Sequence, residues 1–128
     1  MLSDERVWPL PESALTHPRS AGTFAKTLRT YVRESGDIDL VEAIRRAATL
    51  PALLLEPFVA AMGRKGRLQV GADADVVAFD PGRVSDQATY RHPCRPSTGF
   101  EHVIVNGVPV IEDGLLDPTA MPGRPIRA

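Results

Sequence analysis

Two apolar segments in the second half of the chain restrict its fold more than any other feature. Val76–Phe79 is β-branched and apolar on both faces, which predicts a strand covered on both sides. The run from His102 to Gly114 places Asn106-Gly107 between two apolar stretches. Asn-Gly is the favoured pair for a two-residue type I′ turn, so this run predicts a β-hairpin that partners the first strand.

The residues around these segments are predicted from alternation and turn chemistry. Arg67–Val70 alternates polar and apolar side chains and predicts another strand, with Leu68 and Val70 on one face. Gly71 to Asp75 is small and acidic, which suits a tight reversal. Residues 83–99 are polar and rich in proline, which predicts a long surface loop that could close part of a pocket in a complete enzyme.

The first half of the chain predicts an extended arm over Met1–Ser20, followed by two or three helices. Thr23 is the predicted N-cap of a helix from Phe24 to about Glu34, and Ser35-Gly36 is typical of a helix end. The apolar face predicted for this helix consists of Phe24, Leu28, Tyr31 and Val32.

A second helix is predicted after Asp39, which is a favourable N-cap with Glu42 three residues later. A third, short helix is predicted over Pro51–Leu55, with Pro57 ending it. The buried stripe predicted for the second helix consists of Val41, Ile44, Ala47 and Ala48. Helices followed by antiparallel strands predict an α+β fold.

Composition excludes several classes of partner. Fifteen basic and sixteen acidic residues give a net charge of −1. The chain therefore lacks the excess of basic residues that would indicate binding to nucleic acid or to an anionic membrane. No apolar run approaches the roughly 20 residues that span a bilayer. A single cysteine, Cys94, cannot form an internal disulfide, and the start of the chain lacks a secretory pattern. We therefore expect a cytoplasmic setting.

The strand segments resemble those of a known superfamily. G-R-L-Q-V-G-A-D-A-D-V-V-A-F-D-P followed by V-I-V-N-G-V-P-V-I-E-D-G resembles the C-terminal end of the amidohydrolase superfamily. The resemblance implies part of a small antiparallel β-sandwich beside a metal-bearing (β/α)8 barrel. Because such a barrel needs about 250 residues, we expect a C-terminal fragment. Residues 1–63 would be the end of the barrel domain, with its last strand and helices, and residues 64–128 the β-sandwich portion.

The N-terminal segment resembles one branch of that superfamily. Ser3-Asp4, followed by the complete pattern H-P-R-x-x-G-T-F at residues 17–24, is similar to the N-acyl-D-amino-acid deacylases, also called D-aminoacylases. Glu5 departs from the branch, which has glycine after the aspartate. The resemblance implies hydrolysis of an amide C–N bond in a small N-acyl amino acid. It implies a catalytic proton-carrying role for Asp4 and substrate binding by Arg19 and His17.

The residue types suit this chemistry, although plainer interpretations exist for each. A carboxylate can take a proton from water and pass it to the leaving amine, and a guanidinium can bind a carboxylate with two parallel hydrogen bonds. Asp4 could instead be a solvated or capping residue, His17 a loop residue bonded to backbone, and Arg19 the partner of a structural carboxylate. The turn aspartates Asp73, Asp75 and Asp80 suit backbone capping better than metal binding.

The histidine content bears on the metal that the resemblance implies. Zinc sites of this kind are built from histidines on several strands, including an H-x-H pair. The chain has no H-x-H, and its histidines stand apart at positions 17, 92 and 102. We therefore expect zinc in a full-length parent enzyme and none in this chain alone. The hypothesis is that this chain is an inactive fragment or the product of a shortened reading frame.

Two alternatives remain open from the sequence. The first is a hydrolase of cyclic amides such as dihydropyrimidines or hydantoins, which the H-P-R-x-x-G-T-F pattern disfavours. The second is a non-catalytic, β-rich assembly module that forms a homodimer through the exposed edge of strands such as Val76–Phe79.

Overall fold

The structure is a computed structural model, and it describes residues 16–127. Helices occupy its first half and an antiparallel sheet its second half, which confirms the α+β prediction. No helix within residues 16–127 is long and apolar enough to cross a membrane.

The first helix begins at Arg19 rather than at Phe24. Helix α1 (Arg19–Lys26) continues directly into a π-helical stretch, Thr27–Glu34. Pro18 precedes it with φ −54° and ψ −22°, because its ring already fixes a helical φ. Thr23 therefore lies inside the helix, where its hydroxyl donates to the carbonyl of Arg19 at 2.7 Å instead of capping the N-terminus.

The predicted apolar face of this helix is wrong in part. The buried residues of α1 are Gly22 and Ala25, whereas Phe24 is 65% exposed. The loop after the first strand packs against the small-residue face. A Cβ built on Gly22 would lie 3.2 Å from the Cβ of Asp86 and 3.5 Å from that of Ala88. This close approach explains why small residues, and not the large apolar ones, are covered.

The second helical segment starts where the sequence predicts. The side chain of Asp39 accepts the N–H of Glu42 at 2.8 Å, which confirms the predicted N-cap. Three stretches follow without a break, and a 3-10 helix comes after them. They are α2 (Leu40–Ile44), a π-helical stretch (Arg45–Thr49), α3 (Leu50–Leu55) and the 3-10 helix Ala60–Arg64.

The buried stripe predicted for the second helix is wrong. Ala43 and Ala52 are buried, whereas Val41 is 75% exposed and Ile44 42% exposed. The apolar stripe has the expected helical period. The described neighbours pack on the side of the helix that carries Ala43 and Ala52, which leaves much of the stripe exposed.

The sheet has four antiparallel strands in the order β1-β2-β3-β4. Their bounds are β1 (Val76–Phe79), β2 (Phe100–Val105), β3 (Val108–Glu112) and β4 (Leu115–Leu116). The turn between β2 and β3 has φ 49° at Asn106 and φ 80° at Gly107. Positive φ at both central residues is the type I′ geometry, so the hairpin prediction is confirmed.

Two strand predictions are corrected. Residues 67–70 form no strand, and Leu68 and Val70 are almost fully exposed. Alternation gives a strand only when a partner supplies hydrogen bonds, and no strand within residues 16–127 lies beside this segment. The first strand is also not covered on both sides, because Val77 is 51% exposed.

The described part of the chain has a small core. Val84 is completely buried in the loop that leads from β1 to β2. The other buried apolar residues are Ala25, Ala43, Ala52 and Met62. Since these side chains are mostly small, polar contacts between segments carry much of the tertiary organisation.

Candidate functional site

A cleft of about 380 Å³ lies between the start of α1 and the loop 83–99. His17, Pro18 and Arg19 border it from the helix side, and Thr89 and Tyr90 from the loop side. Further lining residues include Thr23, Lys26, Asp86 and Ala88. The two substrate-binding residues predicted from the sequence, His17 and Arg19, therefore meet in one cavity. The loop that was predicted to close part of a pocket forms its opposite wall.

Both ring nitrogens of His17 are engaged. Nδ1 accepts the backbone N–H of Arg19 at 3.1 Å, and Nε2 lies 3.3 Å from the hydroxyl of Tyr90. The two rings meet edge to face, with centroids 5.3 Å apart. Because Nδ1 accepts, the proton of the neutral ring is assigned to Nε2, which then donates to Tyr90.

Arg19 has a fixed backbone and an open side chain. Its N–H is held by His17 and its carbonyl by the hydroxyl of Thr23. Its guanidinium has no hydrogen bond or ion pair with any residue between 16 and 127, and Arg19 is one of the residues that line the cleft. The described structure thus contains no carboxylate that would make Arg19 a purely structural ion-pair partner.

Polar contacts hold the loop against the helix. Arg29 Nε donates to Asp86 Oδ1 at 2.8 Å. Arg33 Nη1 donates to the carbonyl of Val84 at 2.8 Å, and Ser97 Oγ donates to the carbonyl of Ala21 at 3.0 Å. These contacts fix the wall that carries Tyr90.

The ion pair changes the acidity of its arginine. The hydrogen bond to Asp86, followed by that to Glu34, raises the pKa of Arg29 above its ordinary value.

Sequence reasoning missed Tyr90 and Asp86. They lie in a proline-rich loop without periodicity, so no local signal marks them. Only the long-range contacts to His17 and Arg29 show their position beside the cleft.

The turn aspartates act as capping and pairing groups. Asp75 Oδ1 accepts the N–H of Asn106 at 2.8 Å, and Asp80 Oδ1 accepts the N–H of Gly82 at 2.8 Å. Asp73 forms ion pairs with Arg64 and Lys65, each at 3.0 Å. These contacts confirm the capping interpretation for Asp75 and Asp80.

The donors needed for a catalytic zinc do not come together in the described structure. No group of three histidine, cysteine or carboxylate side chains that could hold a metal occurs within residues 16–127. His17 uses both nitrogens in other contacts, and His102 lies 3.7 Å from Asp113 at the surface. The described residues therefore do not fit a zinc site of this kind. Asp4, the predicted proton carrier, lies outside the described residues.

Comparison with known proteins assigns the class. A model of the amidohydrolase family matches residues 3–111, so the chain belongs to the amidohydrolase family. Its relatives include the N-acyl-D-glutamate deacylase of Alcaligenes xylosoxydans xylosoxydans, which is 42% identical over 118 residues, or 92% of this chain. The D-aminoacylase of the same organism is 38% identical over 81% of the chain. These relatives confirm the resemblance to the N-acyl-D-amino-acid deacylase branch.

Solved structures agree with the sequence relatives. An N-acyl-D-glutamate deacylase from Bordetella bronchiseptica, complexed with zinc and a phosphonate inhibitor, matches 90% of this chain with a TM-score of 0.74 and 41% identity. A D-aminoacylase structure matches 78% with a TM-score of 0.66 and 38% identity. The chain spans only 23% and 20% of the lengths of these two proteins.

Proposed function

We propose that this chain is the C-terminal portion of a zinc-dependent hydrolase that deacylates N-acyl-D-amino acids. Residues 1–63 would come from the end of its (β/α)8 barrel and residues 64–128 from its β-sandwich. The chain alone would be inactive and would bind no zinc. Three relatives are named N-acyl-D-glutamate deacylase, D-aminoacylase and N-acyl-D-aspartate deacylase, which supports this substrate class.

The observation that carries the proposal is that Arg19 lines the cleft and that its guanidinium has no partner within residues 16–127. An N-acyl amino acid presents a carboxylate beside the amide that is to be cut. A guanidinium binds such a group through two parallel N–H donors, and this fork restricts the orientation of the substrate. Because Arg19 has a fixed backbone, it would hold the carboxylate in one place while the amide extends away from it. His17 would contact the same bound molecule from beside Arg19.

The proton transfers are proposed for Asp4. Attack of water on an amide releases a proton, and the departing amine must gain one. A carboxylate at the C-terminal end of a barrel strand can accept the first proton and deliver the second. Asp4 would have this role in the parent enzyme, where zinc supplies the activation of water. The chain would thus contribute the proton carrier and the carboxylate-binding residue.

Binding measurements on the purified chain test the role of Arg19. N-acetyl-D-glutamate is titrated into the labelled chain, and the backbone amide shifts of the cleft-lining residues Thr23, Thr89 and Tyr90 are followed by NMR. Arg19→Gln should abolish the response. Arg19→Lys should weaken it roughly tenfold, because the charge remains but the fork is lost. Arg124→Gln, in the exposed C-terminal tail, is the matched control for removing one cation. Equal binding by all three variants would refute the proposed carboxylate site.

Metal content and turnover test the proposal that the chain alone is inactive and binds no zinc. The purified chain should contain less than stoichiometric zinc and should release no amino acid from N-acetyl-D-glutamate, N-acetyl-D-aspartate or N-acetyl-D-methionine. Stoichiometric zinc together with turnover would overturn the proposal that the chain is inactive by itself.

A second candidate function is assembly with a copy of the same chain. Its support is the edge strand β1, which has no strand on its outer side within residues 16–127 and on which Val77 is half exposed. Light scattering after size-exclusion chromatography should give a dimer that Val77→Lys converts to a monomer. A monomeric wild-type chain would exclude this alternative.

A further inference from the structure

We infer that Tyr90 is a positioning residue for the proposed carboxylate site and acts on Arg19 through His17. This inference rests on the proposed function only for its last step, the effect on ligand binding. The first steps concern hydrogen bonds within the chain and can be tested without any ligand.

The contacts form a short relay from the loop to the helix. The hydroxyl of Tyr90 lies 3.3 Å from Nε2 of His17, and Nδ1 of the same ring accepts the N–H of Arg19 at 3.1 Å. A neutral imidazole has one donor and one acceptor nitrogen, so accepting at Nδ1 requires the proton on Nε2. Tyr90 Oη accepts a hydrogen bond from this Nε2–H and thereby favours the tautomer and ring orientation that bind the N–H of Arg19.

The position of Arg19 makes this relay useful. The first backbone N–H groups of a helix have no partner within the helix, and an acceptor side chain that binds one of them defines where the helix starts. His17 supplies this acceptor for the first residue of α1, and that residue carries the open guanidinium. Turning the imidazole would release the Arg19 N–H and loosen the start of α1.

The loop is fixed independently of this contact. Asp86 binds Arg29 and Ser97 binds the carbonyl of Ala21, on either side of Tyr90 in the sequence. The Tyr90 hydroxyl is therefore presented by a held segment. Removing the hydroxyl while keeping the ring should affect the relay and leave the loop in place.

The test uses the full chain with Tyr90→Phe, which keeps the edge-to-face ring contact and removes only the oxygen. Tyr31→Phe is the matched control, because this tyrosine borders the same cleft but its hydroxyl has no hydrogen bond within residues 16–127. Long-range proton–nitrogen spectra report the tautomer of His17, and hydrogen exchange reports the protection of the Arg19 amide. Titration with N-acetyl-D-glutamate reports ligand binding.

We expect wild type and Tyr31→Phe to show the Nε2–H tautomer alone. In Tyr90→Phe, the Nδ1 resonance should move towards the average of two exchanging tautomers. The Arg19 amide should exchange about fivefold faster, as expected for one weakened hydrogen bond. The Kd for N-acetyl-D-glutamate should rise by a similar factor.

Two results would overturn the inference: an Nδ1–H tautomer in the wild type, or unchanged tautomer and exchange in Tyr90→Phe. Failure of the proposed carboxylate site would give a different set of results. In that case the tautomer and exchange effects appear as expected, but Arg19→Gln leaves the binding of N-acetyl-D-glutamate unchanged.

Discussion

Arg29 and Asp86 form an ion pair at 2.8 Å that joins the π-helical continuation of α1 to the loop between β1 and β2. The two residues are 57 positions apart in the sequence, and Asp86 is largely shielded from solvent, with 12% of its side chain exposed. A second carboxylate, Glu34, binds the same guanidinium at 3.0 Å. The pair therefore fixes the loop that forms one wall of the cleft.

This ion pair should contribute measurably to stability. A double-mutant cycle with Arg29→Ala and Asp86→Ala should give a coupling energy of about 1 kcal/mol, because the pair is only partly shielded and its geometry is good. Urea unfolding of the four proteins measures it. The exposed pair of Arg83 and Glu101, at 3.5 Å, is the control and should give about 0.3 kcal/mol or less. Equal coupling in both cycles would contradict the proposed role of Asp86.

Two glycines with similar backbone angles should respond differently to alanine. Gly71 has φ 87° with open space around the added Cβ, so Gly71→Ala should cost only the left-handed strain, about 1 kcal/mol. Gly99 has φ 85°, but its Cβ would lie 2.5 Å from the Cα and N of Val84. Gly99→Ala should therefore cost about 3 kcal/mol or more. Urea midpoints measure both, and similar losses would show that Gly99 does not lie against the backbone of Val84.

Acid should weaken the junction between the 71–75 turn and the β2–β3 hairpin. Burial works to raise the pKa of Asp75, but the hydrogen bonds from Lys65 and from the N–H of Asn106 outweigh it, so the pKa lies below its ordinary value of 3.8. A lowered folded-state pKa gives stability that is present above the unfolded value and lost as the pH falls through the folded one.

The urea midpoint should therefore fall as the pH is lowered from about 5 to below about 4. Asp75→Asn should reduce this dependence, because an amide does not titrate. The remaining slope should come from Asp73, Glu42 and Asp117, whose pKa values are also lowered by hydrogen bonds. An identical pH profile in wild type and Asp75→Asn would contradict the assignment.

Leu54 and Ala52 lie close together in helix α3 but differ sharply in solvent exposure. Leu54 is 73% exposed, so Leu54→Glu should change the free energy of unfolding by less than about 0.5 kcal/mol and reduce binding of a hydrophobic dye. Ala52 is 1% exposed, and Ala52→Glu would bury an unpaired charge and prevent folding. Thermal unfolding followed by circular dichroism distinguishes the two. A large loss in Leu54→Glu would show that this face is covered in solution.

Local sequence signals correctly predicted the caps and turns that depend only on neighbouring residues in the chain. Asp39 caps its helix and Asn106-Gly107 forms the type I′ turn, because each depends on a few neighbouring residues. The predicted start of a separate third helix at Pro51 is wrong, because the helical run continues from Leu40 through Leu55 without a break. The prediction of a strand at residues 67–70 failed because a strand needs a partner that the sequence of the segment does not specify.

Buried faces were predicted less well than elements. Helical periodicity marks which residues share a side, but it does not show which side meets another segment. Val41 and Ile44 share a stripe as predicted and are nevertheless exposed, while Ala43 is covered.

The sequence by itself determined the α+β class, since this depends on residue types and short spacings, and its resemblance to known sequences indicated the amidohydrolase family and the motif that contains His17 and Arg19. Only the tertiary structure decided that Tyr90 contacts His17 and that Asp86 holds the loop. Residues 73 positions apart, such as His17 and Tyr90, meet only after the chain has folded back on itself. That meeting is set by the packing of the loop on α1 and by long-range hydrogen bonds, which leave no local pattern in the sequence.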